Sequence, residues 1–197
     1  MESAILQPDD ILSYWLDEVG ADGWYRGDQA LDDAIRARFL TTWEDCQEGG
    51  CGLWLTDPAG VLAYVILTDQ FSRNMFRGDP RSFATDAQAR VAAKLAIDHD
   101  WDLQIDEPAR HFFYMPLMHS ENLVDQDKAV ELIGSRLPQT GAGQVDHAIV
   151  HRDIVREFGR FPFRNMALAR DTTSKERVFL EEGGYGMAYR TYQGLAK

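Results

Sequence analysis

The stretch Pro58–Pro80, PAGVLAYVILTDQFSRNMFRGDP, gives the clearest indication of the fold class of this chain. It opens on proline, a residue favoured at the first position of a helix, and its centre, Val61–Leu67, is wholly apolar. An apolar run of this length also fits a short buried strand. We favour a helix, because β-branched residues are few and the segment continues without a break to Arg73. The stretch therefore predicts the most buried helix of the protein.

On both sides of this helix the hydrophobic pattern predicts further helices. They are Pro8–Gly20, Asp28–Gly49, Pro80–Asp98, Pro108–His119, Glu121–Leu137, Gln144–Arg156, Arg164–Ala169 and Ser174–Leu180. Ser120 and Ser174 are candidate N-caps, because a serine hydroxyl can accept a hydrogen bond from the first turn. The chain contains no succession of alternating strands joined by hairpin turns. The predicted fold class is all-α, with antiparallel helical hairpins stacked into a superhelix or a bundle.

The length and the breakers predict one domain. The 197 residues can bury a sizeable core, and no internal repeat has a convincing period. The breaker-rich segment Leu137–Gln144, LPQTGAGQ, is interpreted as a loop within that domain. From about residue 183 onward the chain is rich in glycine and tyrosine and poorly patterned. We expect this tail to be less ordered.

Composition excludes several classes of partner. The net charge is −12, so the surface repels nucleic acid and anionic membranes. No apolar run approaches the ~20 residues of a spanning helix, and the acidic start MESAILQPDD lacks the pattern of a signal peptide. These features predict a cytoplasmic protein. In a reducing cytosol, Cys46 and Cys51 are expected to be two free thiols.

Three segments are unusually polar for sequence that looks buried. They are LTDQFSRNMFRGDP (67–80), FFYMPLMHSENLVDQ (112–126) and HRDIVREFGRFPFRN (151–165). The basic residues of the first and third segments are all arginine, which suits paired or ligand-facing positions better than lysine. In the first segment, helical spacing places Asp69 beside Arg73 and Gln70 beside Asn74.

The tripeptide Arg-Asn-Met occurs twice, at Arg73–Met75 and at Arg164–Met166. Each copy offers a guanidinium fork and an amide, groups that can bind carboxylate or phosphate oxygens. If the two copies face one another, they would build a pocket rich in hydrogen-bond donors. The alternative is that each pair ties loop carbonyls together, since most side-chain hydrogen bonds go to the backbone.

The three polar segments and their order resemble the bacterial domain-of-unknown-function family nine-two-four. The resemblance runs from about Ile11 to about Leu180 and includes ILSYW and ALARDTTSKERVFL. It implies a tetratricopeptide-like all-α fold and no assigned activity, substrate or cofactor. Two positions depart from the family pattern: Phe163 replaces a usual His and Ser72 a favoured Pro. A mechanism that needs a histidine at position 163 is therefore excluded.

Familiar catalytic and cofactor motifs do not support an assignment. His147 and His151 have a spacing that metals use, but the HExxH pattern is absent. His119, Glu121 and Asp153 could complete a mixed-ligand site only in a fold that brings them together. The chain has no GxSxG, GxGxxG or GxxxxGK[ST] motif, and the aromatic run before His119 carries no haem signature. We predict neither a metal site nor a cofactor.

Two functional hypotheses remain, and a structural reading stands beside them. In the first, a helical binding module takes a small anionic molecule or the acidic end of a peptide in a concave polar pocket. Its ligand-binding residues are Gln70, Arg73, Asn74, Glu121, Arg160, Arg164 and Asn165. In the second, an enzyme uses His119 or His151 as general base, oriented by Asp153 or Glu121, on a carboxylate or phosphate substrate. In the structural alternative, the motifs only hold helix junctions together, and Asp69 and Asp153 form ion pairs.

Overall fold

The computed structural model describes residues 5–195, which are helical and contain no strand. The all-α class is therefore confirmed. The chain divides into two compact units, Met1–Pro116 and Leu117–Lys197. The single domain and the tetratricopeptide-like stacking stay predictions. The prediction that the segment MESAILQPDD lacks a signal-peptide pattern concerns residues 1–4 in part, and these lie outside the described residues.

The described part of the first unit, residues 5–116, contains five α-helices and the start of a sixth. The α-helices are α1 (Pro8–Leu12), α2 (Gln29–Gln47), α3 (Pro58–Val65), α4 (Ser72–Met75), α5 (Asp86–Asp98) and α6 (Met115–Met118), in which the division falls after Pro116. Two π-helical segments, Ser13–Val19 and Ile66–Phe71, continue α1 and join α3 to α4. Four 3₁₀ turns connect the rest: Gly52–Thr56, Pro80–Phe83, Asp102–Gln104 and Ala109–Phe113.

The most buried helix is the one that the sequence predicted. Every residue of Val61–Leu67 is at most 6% exposed, and the path is helical, so the strand alternative is wrong. Asp57 caps α3 by accepting a hydrogen bond from the Gly60 amide at 3.0 Å. An apolar helix buried on all sides has to be surrounded by other elements, and α1, α5 and the Gly52–Thr56 turn pack against it.

Aromatic rings fill the centre of the first unit. Phe71 lies 5.2 Å from Trp15 in an edge-on contact and 4.8 Å from Phe39, and all three residues are fully buried. Aromatic pairs at such distances stabilise a core beyond the area that they bury. Phe71 is the last residue of the π-helical segment, so this core fixes the backbone from which the first polar motif projects.

The expectation of two free thiols is wrong. Cys46 and Cys51 form a disulfide and both are buried. Their Cα atoms lie 4.7 Å apart, because α2 ends at Gln47 and the chain turns back at once. That separation lies within the range that a disulfide spans. The expectation rested on the compartment alone and took no account of this turn.

The second unit is built around a pair of long helices. Its α-helices are α7 (Leu123–Arg136), α8 (Gly141–Phe158), α9 (Ser174–Glu181) and α10 (Gly184–Tyr192), with one 3₁₀ turn, Pro162–Arg164. Helix α7 packs against α8, and α10 packs against both α8 and α9. Val150, Ile154, Val155 and Phe161 form a core that Phe179 and other partly buried side chains extend.

Several predicted boundaries in the second unit need correction. The N-cap of α7 is Asn122 instead of Ser120, and the N-cap of α9 is Thr173 instead of Ser174. Helix α8 begins at Gly141, inside the segment predicted to be a loop. The helix predicted over 164–169 is the end of a 3₁₀ turn followed by further turns.

The tail predicted to be less ordered contains helix α10. Two successive left-handed residues, Gly183 (φ 110°) and Gly184 (φ 55°), turn the chain from α9 into α10. Glycine adopts such angles without steric cost, which explains the glycines in this segment. Within residues 5–195, no helix is both long enough and apolar enough to cross a membrane.

Candidate functional site

Arg73, in the first polar motif, lies in a cluster of acidic groups. Its Nη1 is 3.1 Å from the Asp69 carboxylate, and the guanidinium donates two hydrogen bonds to Asp86, at 2.9 and 3.1 Å. Nη1 also donates to the Asp69 carbonyl oxygen. The predicted proximity of Asp69 and Arg73 is confirmed. The two carboxylates raise the pKa of Arg73 although burial opposes this, so the arginine stays charged.

Two further polar side chains of this motif, Asn74 and Arg77, bond Asp32, which is buried on α2. Asn74 donates to Asp32 at 2.8 Å, and Arg77 donates twice, at 2.8 and 3.0 Å. Gln70 donates to Asn74 at 3.3 Å, which confirms that these two residues share a face. Asp32 and Asp86 were missed by the sequence reasoning, because they lie 13 to 45 residues from their partners.

Ser72 belongs to a buried hydroxyl network. It donates to the Thr68 carbonyl oxygen at 2.7 Å, lies 2.9 Å from the Thr85 hydroxyl and accepts a hydrogen bond from Trp43 at 2.8 Å. A proline at this position would remove all three contacts. The serine that departs from the family pattern thus links α2, the motif and the start of α5.

Arg160, in the third polar motif, is paired in the same way within the second unit. It donates two hydrogen bonds to Glu176, at 2.6 and 2.9 Å, and one to the carbonyl oxygen of Asp171. Glu176 also forms a capping box with Thr173 at the start of α9. The hydrogen bonds from Arg160 are the largest cause that lowers the pKa of Glu176, to about 2. The pair fixes α9 to the turn after α8.

Glu121 joins the second and third motifs. Its carboxylate accepts from the Phe161 amide at 2.9 Å and from Arg170 at 2.8 Å. Burial works to raise the pKa of Glu121, but these two hydrogen bonds outweigh it and the pKa is lowered. Glu121 is therefore ionised at neutral pH, and both bonds serve the fold.

Arg164 and Asn165 are both buried in the turn after α8. Arg164 donates to the His119 carbonyl oxygen at 2.9 Å, and its guanidinium lies 4.5 Å from the centre of the Phe161 ring. Asn165 donates to the Thr172 hydroxyl at 3.3 Å. Phe163 is 41% exposed and stacks 5.2 Å from Phe161, in place of the family's histidine.

His151 lies among aromatic rings on α8. Its Nδ1 donates to the His147 carbonyl oxygen at 2.8 Å, since a carbonyl can only accept, and Nε2 is left as an acceptor. The rings of Phe161 and Tyr185 lie 5.4 and 4.8 Å away, and the His119 ring 6.4 Å away. Burial lowers the pKa of His151 to about 3. A base of that pKa is weak at neutral pH.

The two carboxylates predicted to orient a catalytic histidine, Glu121 and Asp153, form bonds with other residues. Asp153 forms exposed ion pairs with Arg152, at 3.1 Å, and with Arg156, at 3.0 Å. Glu121 is committed to Arg170 and to the Phe161 amide. Within the part of the chain that the structure describes, no three His, Cys, Asp or Glu side chains are grouped to hold a metal ion.

The two Arg-Asn-Met segments belong to different units. Asp69, Gln70, Arg73 and Asn74 lie in the first unit, whereas the remaining predicted site residues lie in the second. The structure pairs Gln70 with Asn74 and Arg73 with Asp69 in the first motif. It brings His119 together with Arg164 and His151 around Phe161. A pocket shared by both segments stays a prediction.

The second unit contains a cavity of about 350 Å³, here called the α8–α10 cavity. Its lining residues are Val150, Asp153, Ile154, Glu157, Phe179, Glu182, Gly184, Met187, Ala188, Thr191 and Tyr192. The α8 and α10 residues recur at spacings of three and four, so each helix presents one face to the cavity. Space remains between the helices because α10 contributes glycine and alanine there.

Apolar and acidic groups divide the lining of the α8–α10 cavity. Val150, Ile154, Phe179, Met187 and Ala188 form an apolar surface, and three carboxylates, those of Asp153, Glu157 and Glu182, belong to exposed residues. Of these residues, the sequence analysis singled out only Asp153, as an ion-pair or orienting carboxylate and not as part of a cavity. The recurrence of Gly184, Met187, Ala188 and Thr191 was the signal that could have revealed α10 and its cavity face.

These features define an all-α protein with internally neutralised arginine clusters and a largely apolar cavity in its second unit. The model of the family described as "Bacterial protein of unknown function (DUF924)" matches residues 11–184. The chain therefore belongs to this bacterial family of unknown function. The α10 face of the cavity lies almost wholly beyond the matched residues.

A solved structure supports the same assignment. It is that of ATU0120 from Agrobacterium tumefaciens, a protein of unknown function, which is 39% identical to this chain with a TM-score of 0.82. The similarity covers 89% of this chain and 97% of the other. Among curated proteins, none matches the chain.

Proposed function

We propose that this protein is a helical binding protein that holds a small organic molecule in the α8–α10 cavity, while its arginine motifs lock helix junctions. The observation that carries the proposal is the cavity itself. Its volume of about 350 Å³ lies within the range of small-molecule pockets, ~300–1,000 Å³, and its lining is largely apolar with a few polar groups, as such pockets are.

The arginine motifs support the structural part of the proposal. Arg73, Arg77, Arg160 and Arg170 each already bond a carboxylate of the same unit. A ligand anion at any of them has to displace that carboxylate, which is held close by the fold. The geometry therefore favours locks at these positions over an open anion site.

A neutral probe and a filled cavity test the binding function. We expect 5-phenyl-1-pentanol to raise the melting temperature of the wild-type protein, because a ligand that binds only the folded state stabilises it by mass action. Ala188→Leu adds bulk inside the cavity and should abolish the shift. Ala142→Leu, the same change at an exposed position of α8, should retain it. No shift in the wild type, or an equal shift in both variants, would contradict the proposal.

The anionic ligand or acidic peptide end that the sequence predicted is the second candidate. The observation that favours it is Arg160, whose side chain is 29% exposed and whose Nη1 has no hydrogen bond within residues 5–195. Inorganic phosphate should then raise the melting temperature of the wild type and not that of Arg160→Lys, since lysine lacks the guanidinium fork. Equal responses would reject this candidate.

Catalysis receives less support than binding. A general base works best with a pKa near the operating pH, and the pKa of His151 is about 3. General-base roles for His119 and His151 stay predictions, as do the cytoplasmic location and the lack of nucleic-acid, membrane, cofactor or metal partners.

A further inference from the structure

We infer that the ligand of the α8–α10 cavity is an organic cation: an amine with an apolar body of arylalkyl type. The inference rests on the proposed binding function and adds the chemical class of the ligand.

The charged residues of the lining are all acidic, and the cations that pair with two of them, Arg152 and Arg156 with Asp153 and Lys175 with Glu157, lie outside the lining. Asp153, Glu157 and Glu182 each contribute a carboxylate, and none of the described lining residues is Lys, Arg or His. Carboxylates of one sign around a low-dielectric cleft attract a cation and repel an anion. The cavity thus differs in sign from the arginine motifs in which the sequence suggested a site.

The existing ion pairs of these carboxylates are weak competitors. Glu157 pairs with Lys175 at 3.2 Å, but both side chains are more than half exposed. Asp153 pairs with Arg152 and Arg156 while 50% exposed. Exposed pairs contribute little to stability and exchange partners readily. A ligand ammonium can therefore join these carboxylates without removing a buried charge.

Glu182 provides the most accessible charge. It follows the last residue of α9 and is exposed, and its carboxylate has no ion pair or hydrogen bond among the described residues. The rings of Phe179 and Tyr192 also line the cavity. Aromatic faces attract an alkylammonium group through their electrostatic quadrupole, so the acidic and aromatic groups favour the same ligand class.

The apolar surface selects the body of the ligand. Val150, Ile154, Met187 and Ala188 offer aliphatic contacts, whose burial against an apolar ligand is favourable. A small inorganic cation would leave this surface in contact with water. The ligand class that satisfies both parts of the lining is an amphipathic amine.

Three probes that share a phenylpentyl body and differ only in the head group test the inference. Calorimetric titration should give an order of affinity of 5-phenylpentylammonium, then 5-phenyl-1-pentanol, then 5-phenylpentanoate. We expect the cation to bind about ten-fold more tightly than the anion, a ratio that corresponds to a modest charge effect. The ratio should fall as salt screens the carboxylates.

A pair of neighbouring glutamates provides the matched control. Glu182→Gln should reduce the preference for the cation about three-fold, the size of an exposed charge interaction. Glu181→Gln removes the same charge from an exposed residue that does not line the cavity, and should leave the preference unchanged. An equal loss in both variants would show that only the net charge of the protein matters and would overturn the inference.

The failures of the inference and of the binding function differ. If all three probes bind with equal affinity, or the pentanoate binds best, the cation class is wrong and the binding function stands. If none of the three binds, the binding function itself fails. If the cation binds best and Glu182→Gln, but not Glu181→Gln, reduces the preference, both are supported.

Discussion

The Arg73 cluster and the α8–α10 cavity use charge in opposite ways. Around Arg73, opposite charges are buried together, and the Asp69 side chain is only 2% exposed. At the cavity, three carboxylates border an apolar surface, two of them in exposed ion pairs, and the Asp153 side chain is 50% exposed. Buried pairs satisfy one another and specify the fold, whereas exposed carboxylates remain accessible to a ligand. A conspicuous polar motif is therefore weaker evidence of a binding site than an unremarkable helix face.

The largest expected effect concerns the first of these regions. Asp69→Ala removes one partner of a buried ion pair, and we expect the free energy of unfolding to fall by about 3–5 kcal/mol. For a chain of this length such a loss lowers the melting temperature by about 10 °C. Calorimetry or thermal denaturation followed by circular dichroism measures it.

Asp153→Ala is the matched control for that change. It breaks only exposed ion pairs, so we expect a loss of about 1 kcal/mol or less. Similar melting temperatures for Asp69→Ala and Asp153→Ala would show that the buried ion pair stabilises the fold no more than the exposed ones do.

A pH series tests the ion pair between Arg160 and Glu176 in the second unit. The pKa of Glu176 is lowered to about 2 by Arg160, so the carboxylate stabilises the fold above its unfolded pKa of ~4.3. This contribution is lost as the pH falls from about 4.5 towards 2. Glu176→Gln should flatten the loss of stability in this range. Its effect at neutral pH should be smaller than that of Asp69→Ala, because Arg160 is 29% exposed.

Urea denaturation at several pH values would measure the Glu176 contribution. Equal slopes of stability against pH for wild type and Glu176→Gln would mean that Arg160 does not lower this pKa.

Reduction of the Cys46–Cys51 disulfide measures how much this covalent link stabilises the fold, for comparison with the ion pairs. Cys46 and Cys51 close a short loop, and the chain-entropy relation gives about 2 kcal/mol for it. A reducing agent should lower the unfolding free energy of the wild type by this amount. The double variant Cys46→Ala, Cys51→Ala should not respond to the reductant. Equal stability of the wild type with and without reductant would contradict the pairing.

The smallest effect on stability is expected at the cavity. Ala188 lines the cavity and also packs against the edge of the Val150 core. Ala188→Leu adds three carbon atoms on the cavity side, so we expect a change of about 1 kcal/mol or less, at the low end for added bulk in a core, although it blocks the probe. A loss as large as that of Asp69→Ala would mean that the space is needed for packing and is not a binding cavity.

Local patterns predicted much of the fold. The apolar run Val61–Leu67, the start of the second helix at Asp28 and the Asp69–Arg73 face all follow from helical periodicity. Helix α10 was missed because its glycines and tyrosines lower its intrinsic helix propensity, while its contacts with α8 and α9 stabilise it.

The candidate site depended on contacts that sequence spacing does not encode. Arg160 meets Glu176 sixteen residues away, and Arg73 meets Asp86 thirteen residues away. The cavity requires faces of α8, α9 and α10 to meet with small residues on one of them. The arginines drew attention because their composition is unusual, but unusual composition does not distinguish a ligand site from an internal ion pair.

Three methionine methyl groups distinguish ligand binding in the α8–α10 cavity from binding at the arginine motifs. Met75 and Met166 belong to the two Arg-Asn-Met segments, and Met187 lines the cavity. In a spectrum of the ¹³C-methyl-methionine protein, 5-phenylpentylammonium should shift the Met187 signal in a saturable way and leave Met75 and Met166 unchanged. A shift of Met75 or Met166 with Met187 unmoved would place binding at the arginine motifs and contradict the account.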